Sequence, residues 1–481
     1  MTLGSSARAP LPASRIRGLA NRIAVLLLGT FGTAALAFAT QLLLTRGMPV
    51  ADYGRLAAML ASVNILTPVA VLGMGWFWLE LFGREGPRAA RWIRPAMRLG
   101  ALASLASIAV LWLYVFFQAS EPSSALTWSL LLVPVLLGQS LAETTAARLQ
   151  LEERYNALAG WQMLTQFGRS VVAAALFLTG SVGLAQLLGG YAAVGAVAAA
   201  ISLGSLSQMR AGRMRLAGHR APDSDLADAA SAQPSFKEVL RAASPYCLVT
   251  LFYLVYSQGI VALVQVLLGP EAAAIYGVAF LVTAAVYLIP NVVYVKFLAA
   301  KLLRWWTHDR PMFVAVFHLG VASHLALGLV CAGAVIAAAP TVLPMLFGDR
   351  YQAAASVLVV LAIGIPIRFV QHAYGSVLFA KEHIHRKIKY MGTAAAASLV
   401  FNFVLTPLFG VLGAAAAAVA SELLLLVLYI VGVTRNVPEI DVLGTFRPSM
   451  LRAALMHVID GEGRIVDLQP GPRVEPRCEQ P

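Results

Sequence analysis

Apolar residues run through this chain in blocks of about twenty, separated by short clusters rich in Arg, Gly, Pro and Tyr. A block of that length crosses the roughly 30 Å hydrocarbon core of a bilayer as one helix. Twelve blocks are legible, at 23–44, 56–79, 96–118, 126–147, 157–179, 184–208, 244–268, 275–297, 313–339, 353–379, 390–409 and 411–434. Barrel strands would instead read as segments of about ten alternating residues, a pattern the chain lacks. The expectation is an all-α integral membrane protein of about 12 transmembrane helices. An even number of crossings puts both termini on one side.

A second pattern is a corner used twice. The stretch from Gln41 to Arg55 is an apolar helix end, a Gly/Pro turn, then Tyr53-Gly54 opening a new apolar helix. Gln265 to Val278 repeats it, with Tyr276-Gly277 in the same role, and Pro68 and Pro290 follow at similar distances. The two copies lie nearly half of the 481 residues apart. That spacing predicts two homologous halves, the arrangement in which a transporter's substrate path runs between halves. The division expected is a segment 1–22, a six-helix lobe 23–208, a linker 209–243, a second lobe 244–434 and a tail 435–481. Within the linker, Phe236–Arg241 reads either as an amphipathic interfacial helix or as the end of a featureless connection.

Composition sharpens the picture. Residues are 59% hydrophobic and only 12% charged, with a mean hydropathy of +0.75; a soluble domain carries about 25% charge. The net charge of +13 would fit nucleic acid, but the positions decide otherwise. All but five of the 36 Lys and Arg residues fall in or beside alternate connections, the exceptions being Arg46, Arg55, Arg350, Arg169 and Arg368. This is the positive-inside distribution, so the termini and basic connections are expected in the cytoplasm, with anionic lipid headgroups rather than nucleic acid as partners. Trp76, Trp78, Trp92, Trp128, Trp305 and Trp306 read as interface anchors. Cys247, Cys331 and Cys478 are isolated and form no disulfide or metal pattern. The basic start of the chain has no cleavage signature ahead of its first apolar block, so that block reads as a retained span.

Polar groups at mid-span carry the candidate chemistry, because a charge there costs at least about 2.5–3.5 kcal/mol unless it meets a partner or water. Arg169 sits in the middle of the fifth span, and Gln162, Gln166 and Arg169 share one helix face. Either Arg169 is paired for packing specificity, or it lines a path for an anion. Arg368 repeats the situation in the tenth span, with His372 one turn on and Gln371 beside it, after Gly364-Ile-Pro366, which is expected to break or kink the helix. Glu422 in the last span and Glu143, one turn after Gln139 in the fourth, are candidates for ion coupling, or for ion pairs with the arginines. His318 and His324 read as cavity or packing histidines rather than metal ligands, and Asn64, Gln258 and Gln265 as interhelical contacts. No phosphate-binding loop, metal motif or nucleophile motif appears, and no cofactor is expected. A membrane glycan polymerase or ligase would need an acid/base pair in a sizeable loop, and no such loop exists, so an enzyme is not expected.

These residues resemble a known family. The run Asn402, Leu405, Pro407, Gly410, Gly413, Ala414, Ala415 has the N-x-x-L-x-P-x-x-G-x-x-G-A-A spacing of a hairpin near the end of oligosaccharide flippases. These are the Wzx-like polysaccharide transporters of the multidrug/oligosaccharidyl-lipid/polysaccharide (MOP) exporter superfamily. Leu346-Phe-Gly-Asp-Arg-Tyr351 is similar to the segment preceding that hairpin, and the corners at Asp52-Tyr53-Gly54 and Gly269-Pro270…Tyr276-Gly277 resemble the family's two corners. The resemblance implies two pseudo-symmetric six-helix lobes around a central cavity that opens alternately to either side. It implies a polyprenyl-diphosphate-linked oligosaccharide carried from the inner to the outer leaflet, with polysaccharide polymerase or export machinery nearby. By their depth alone, not by a matched motif, Arg169 and Arg368 are the arginines placed to meet the diphosphate, with the polar stripes facing the glycan. The family often carries an Asp in the seventh helix; here Ser257-Gln258-Gly259 stands instead, so no site residue carries over there. A cation antiporter on the same scaffold and a non-transporting scaffold for glycan enzymes remain open at this level.

Overall fold

A computed structural model describes residues 13–436 except 119–120, 181, 212, 215–232, 292–309 and 378–383, together with 440 and 452. Most of the linker, nearly all of the tail, the end of the eighth span and the pair Trp305-Trp306 lie outside the described residues.

The first half comprises α1 (Ala13–Gly47), α2 (Val50–Ala70), α3 (Met74–Glu85), a 3₁₀ turn (Gly86–Trp92), α4 (Ile93–Gln118), α5 (Pro122–Leu151), α6 (Tyr155–Leu178) and α7 (Leu184–Arg210). The second comprises α8 (Phe236–Leu268), α9 (Pro270–Asn291), α10 (Arg310–Phe347), a 3₁₀ turn (Asp349–Tyr351), α11 (Ala353–Val377) and a stretch Ile384–Asn436. That stretch would be about 80 Å long as one helix, far more than a bilayer crossing needs. Gly410 breaks it at φ 60° and ψ −143°, a conformation open to glycine. The chain doubles back there closely enough that a Cβ on Gly413 would overlap the Leu405 carbonyl. The two arms are α12 (384–409) and α13 (411–436).

Ten stretches among the described residues are long and apolar enough to cross a membrane. Counting the last as two and adding α6, which carries the polar stripe in place of apolar residues, gives twelve crossings. Two expectations need correction. The second span does not run unbroken over 56–79: Leu72 (φ 49°) and Gly73 (φ 63°) are left-handed and divide α2 from α3. Trp78 is not an interface anchor, because it is fully buried among Phe77, Phe82 and Ile93. Phe236–Arg241 is the first turns of α8, started by Ser235. That serine accepts a hydrogen bond from Glu238 N–H while the Glu238 carboxylate takes the Ser235 N–H, a reciprocal cap that fixes the helix start.

The halves repeat one packing scheme. In each, the second helix packs on the fourth, as α2 on α5 and α9 on α11. The first packs on the fifth, α1 on α6 and α8 on α12, where Phe252 fills the space over Gly392. The fourth packs on the sixth, α5 on α7 and α11 on α13, where Tyr429 lies over Gly375. The seam between halves is α2 against α8 and α9.

The two corners meet on this seam. A Cβ on Gly54 would overlap the Pro270 carbonyl, and Gly277 lies over Ala57. Around them Leu44, Met48, Tyr53, Tyr276, Phe347 and Tyr351 form one core drawn from both halves. At this corner end, Arg46 donates to the carbonyls of Met345 (2.8 Å) and Leu346 (2.9 Å) at the C-terminus of α10. Reciprocally, Arg350 donates to Thr45 O near the C-terminus of α1. Each arginine caps carbonyls that a helix end leaves unpaired and meets the negative end of its dipole.

Candidate functional site

α6 turns Gln162, Gln166 and Arg169 toward the space between α1 and α5, because positions i, i+4 and i+7 stack on one face. Gln162 is exposed, while Gln166 and Arg169 are half-buried. Arg169 is 14 residues from the start of α6, about 21 Å along the helix, so its charge lies at mid-depth. Its guanidinium stands 5.6 Å over the Tyr191 ring of α7 and donates to Gln139 Oε1 of α5 at 3.3 Å.

The contact does not stop there. Gln139 donates to Asn64 Oδ1 of α2 at 2.7 Å, and Asn64 donates to Gln258 Oε1 of α8 at 2.9 Å. Four side chains on four helices form a relay of donors all pointing the same way, from the cation in the first half to an amide in the second. Hydrogen bonds aligned in this manner polarise one another. Glu143, one turn from Gln139 on α5, presents an exposed carboxylate.

Arg368 takes the paired one of the two arrangements the sequence leaves open. It is 2% exposed and faces no open path. Its Nη1 donates to Glu422 Oε1, and its Nη2 donates to the Tyr253 hydroxyl at 2.8 Å. The rings of Tyr253, Tyr256 and Tyr287 surround the guanidinium at 5.1, 5.4 and 4.9 Å. Gln371 donates to the Glu422 backbone carbonyl, and His372, half-buried, lies one turn along α11. A mid-depth charge is costly unless paired, so the two groups assigned to separate roles, substrate contact and ion coupling, form a single neutral unit. Nor does Gly364-Ile-Pro366 break its helix, since α11 runs through it.

Beside this pair lies a small cavity of about 20 Å³ lined in part by Ser257, Thr283, Gly364, Arg368 and Glu422, room for about one water. Ser257 Oγ, Arg368 Nε and Glu422 Oε2 border it with no partner among the described residues, which is the set of groups a bridging water satisfies.

Helical spacing alone groups Gln162, Gln166 and Arg169 on α6 and, separately, Gln139 with Glu143 on α5, but leaves Asn64 and Gln258 as interhelical contacts. The tyrosine cage is absent from the sequence expectations. Tyr253, Tyr256 and Tyr287 all sit within spans rather than at their ends, and that depth is the available signal.

No protein-family model matches the chain, and no curated protein matches it in sequence. Solved structures do match in fold. The lipid II flippase MurJ in an inward closed conformation superposes with a TM-score of 0.61 at 11% identity, over 93% of each chain. The MATE multidrug transporter DinF-BH gives 0.60 at 13% identity, over 87% of this chain and 95% of that one. An inward-facing multidrug resistance MATE family transporter of the MOP superfamily gives 0.56 at 15% identity, over 92% and 98%. The chain thus has the helical fold shared by a lipid II flippase and by MATE transporters.

Proposed function

We propose that this protein is a MOP-type transporter that carries a polyprenyl-diphosphate-linked oligosaccharide across the membrane by alternating access, from the inner to the outer leaflet. The observation that carries the reading is Arg169, a cation held at mid-depth on a polar stripe and wired through Gln139 and Asn64 to Gln258 in the opposite half. A diphosphate crossing hydrocarbon needs a fixed positive partner, and an arginine fork suits phosphate oxygens. Gln162 and Gln166 offer amides to a glycan, and the lipid tail stays in the bilayer. The relay ties occupancy of the cation to the contact between halves, so an anion competing for Arg169 would loosen that contact. Arg368 and Glu422 then hold the second half together, and Glu143 is the free carboxylate suited to coupling an ion.

A cation antiporter on the same scaffold is the second reading, favoured by the exposed carboxylate of Glu143 alone. Depleting the protein in its native cells and restoring it as wild type or Arg169→Gln separates the two. The flippase reading expects lipid-linked oligosaccharide to accumulate on the inner leaflet, to clear with wild type and to persist with Arg169→Gln. No accumulation, with an efflux defect cured by wild type and not by Glu143→Gln, supports the antiporter.

A further inference from the structure

A second polar site lies on the other side of α6. By 100° per residue, Ala157, Gly160, Trp161 and Leu164 occupy the face roughly opposite the Gln162–Arg169 stripe. They line a groove of about 390 Å³ with the end of α5 and the last turns of α7, within the range of small-molecule sites. It lies at the end where the basic connections gather, beside Arg210 and Arg213.

The groove has a polar mouth and an apolar shaft. At the mouth, Arg148 is fully committed to the fold. Its Nε donates to Glu152 (2.9 Å), its Nη1 to Ser205 Oγ (3.1 Å) and its Nη2 to Gln208 Oε1 (2.8 Å). That pinning holds the Gln208 amide by its oxygen, leaving its NH₂ unpaired among the described residues, and it matches the Glu152 charge. Arg154 is the more loosely held charge. Its side chain is 60% exposed and reaches Glu152 only at 3.5 Å. It stands at the N-cap of α6, whose first turn has no side-chain cap, so the positive end of the helix adds to it. Below the mouth, Gly160 on α6 and Gly204 on α7 each have open space where a Cβ would stand, and exposed Leu164 and Ile201 continue the wall. The result is a slot between two membrane helices, apolar where hydrocarbon lies and cationic at headgroup level.

We propose that this groove binds an anionic phospholipid of the inner leaflet, its phosphate on Arg154 and Gln208 and one acyl chain along the Gly160–Gly204 slot. Basic pockets between transmembrane helices at the cytoplasmic side are suited to such headgroups. The continuous apolar shaft favours a lipid over a free anion. The site is separate from the Arg169 stripe and does not depend on what that stripe carries.

The test uses the full-length protein purified in detergent and titrated with phosphatidylglycerol or phosphatidylcholine of the same chains, with bound lipid counted by native mass spectrometry. Wild type should retain phosphatidylglycerol in preference to phosphatidylcholine. Arg154→Gln, a change at an exposed side chain, should weaken phosphatidylglycerol retention about tenfold, as loss of a hydrogen bond to a charged group does, and leave phosphatidylcholine unchanged. Gly160→Leu should weaken both by filling the slot, and inorganic phosphate should not displace the lipid. Equal retention by wild type and Arg154→Gln, or equal binding of the two lipids, overturns the proposal. Displacement by inorganic phosphate also overturns it, making the site one for free anions.

Discussion

Replacing Glu422 by Gln should destabilise the second half strongly, and replacing Arg368 as well should restore most of the loss. Arg368 loses the Glu422 carboxylate, the only one paired with it among the described residues, while remaining 2% exposed, and removing one partner of a buried pair costs about 3–5 kcal/mol. Tyr253 still accepts from Nη2 at 2.8 Å, and the three rings at 4.9–5.4 Å each offer about 0.5–2 kcal/mol to the cation, so part of the charge stays compensated and the lower end of that range applies. The double variant Arg368→Met with Glu422→Leu removes both charges and keeps apolar volume, a change that is often neutral or stabilising by about 1–4 kcal/mol. Arg368→Met alone strands Glu422 and should resemble Glu422→Gln. Titrating the detergent-purified variants with SDS and following helix content measures each unfolding free energy. In the cycle closed by Arg368→Met, Glu422→Leu and their double variant, a coupling of about 2 kcal/mol or more is expected. Additive single effects, or a Glu422→Gln variant within about 1 kcal/mol of wild type, would refute the claim that these groups act as one neutral unit.

Three further outcomes follow from the same geometry. Arg46→Ala with Arg350→Ala removes three hydrogen bonds to helix-end carbonyls across the halves; at about 0.5–1.5 kcal/mol each, spin labels flanking the corner end should report a more open population by at least about tenfold, and unchanged distances would deny that these bonds hold the halves together there. Gly54→Ala forces a methyl into the Pro270 carbonyl, so it should lower the thermal unfolding temperature by several degrees while Gly189→Ala, at a position with open space, leaves it unchanged. Asn64→Leu cuts the relay at its middle and strands Gln139 and Gln258. Transport should fall at least about tenfold with unfolding temperature lowered only modestly, whereas normal transport would remove the relay from the mechanism.

Much of the fold was legible because each span needs an apolar run of fixed length, and that requirement is written directly into the sequence. Gly410 was visible as a break since Pro407, Gly410 and Gly413 cluster between two runs. The break at Leu72-Gly73 was not, because apolar residues flank it on both sides and hydropathy does not change across it. The site was legible one helix at a time: the Gln162–Arg169 stripe shows in helical spacing, but its continuation through Gln139 and Asn64 to Gln258 joins residues far apart in the chain, which only packing reveals. Arg368 and Glu422 each read as a costly mid-depth charge. That cost is the reason they pair, yet nothing in either span names the partner. Burial hid Trp78 in the same way, because an amphipathic ring at a span end has the same signature whether it meets lipid or a neighbouring helix.

The central claim is that the protein moves a diphosphate-linked glycan past Arg169. The most direct measurement reconstitutes the purified protein into vesicles containing polyprenyl-diphosphate oligosaccharide on both leaflets and follows its exposure to an impermeant glycan-cleaving enzyme added outside. Wild-type vesicles should lose nearly all of the glycan and protein-free vesicles only the outer half, with Arg169→Gln close to protein-free and Arg169→Lys between. Wild-type vesicles that protect the inner half like protein-free ones, or an Arg169→Gln variant that exposes it as fast as wild type, would contradict the account.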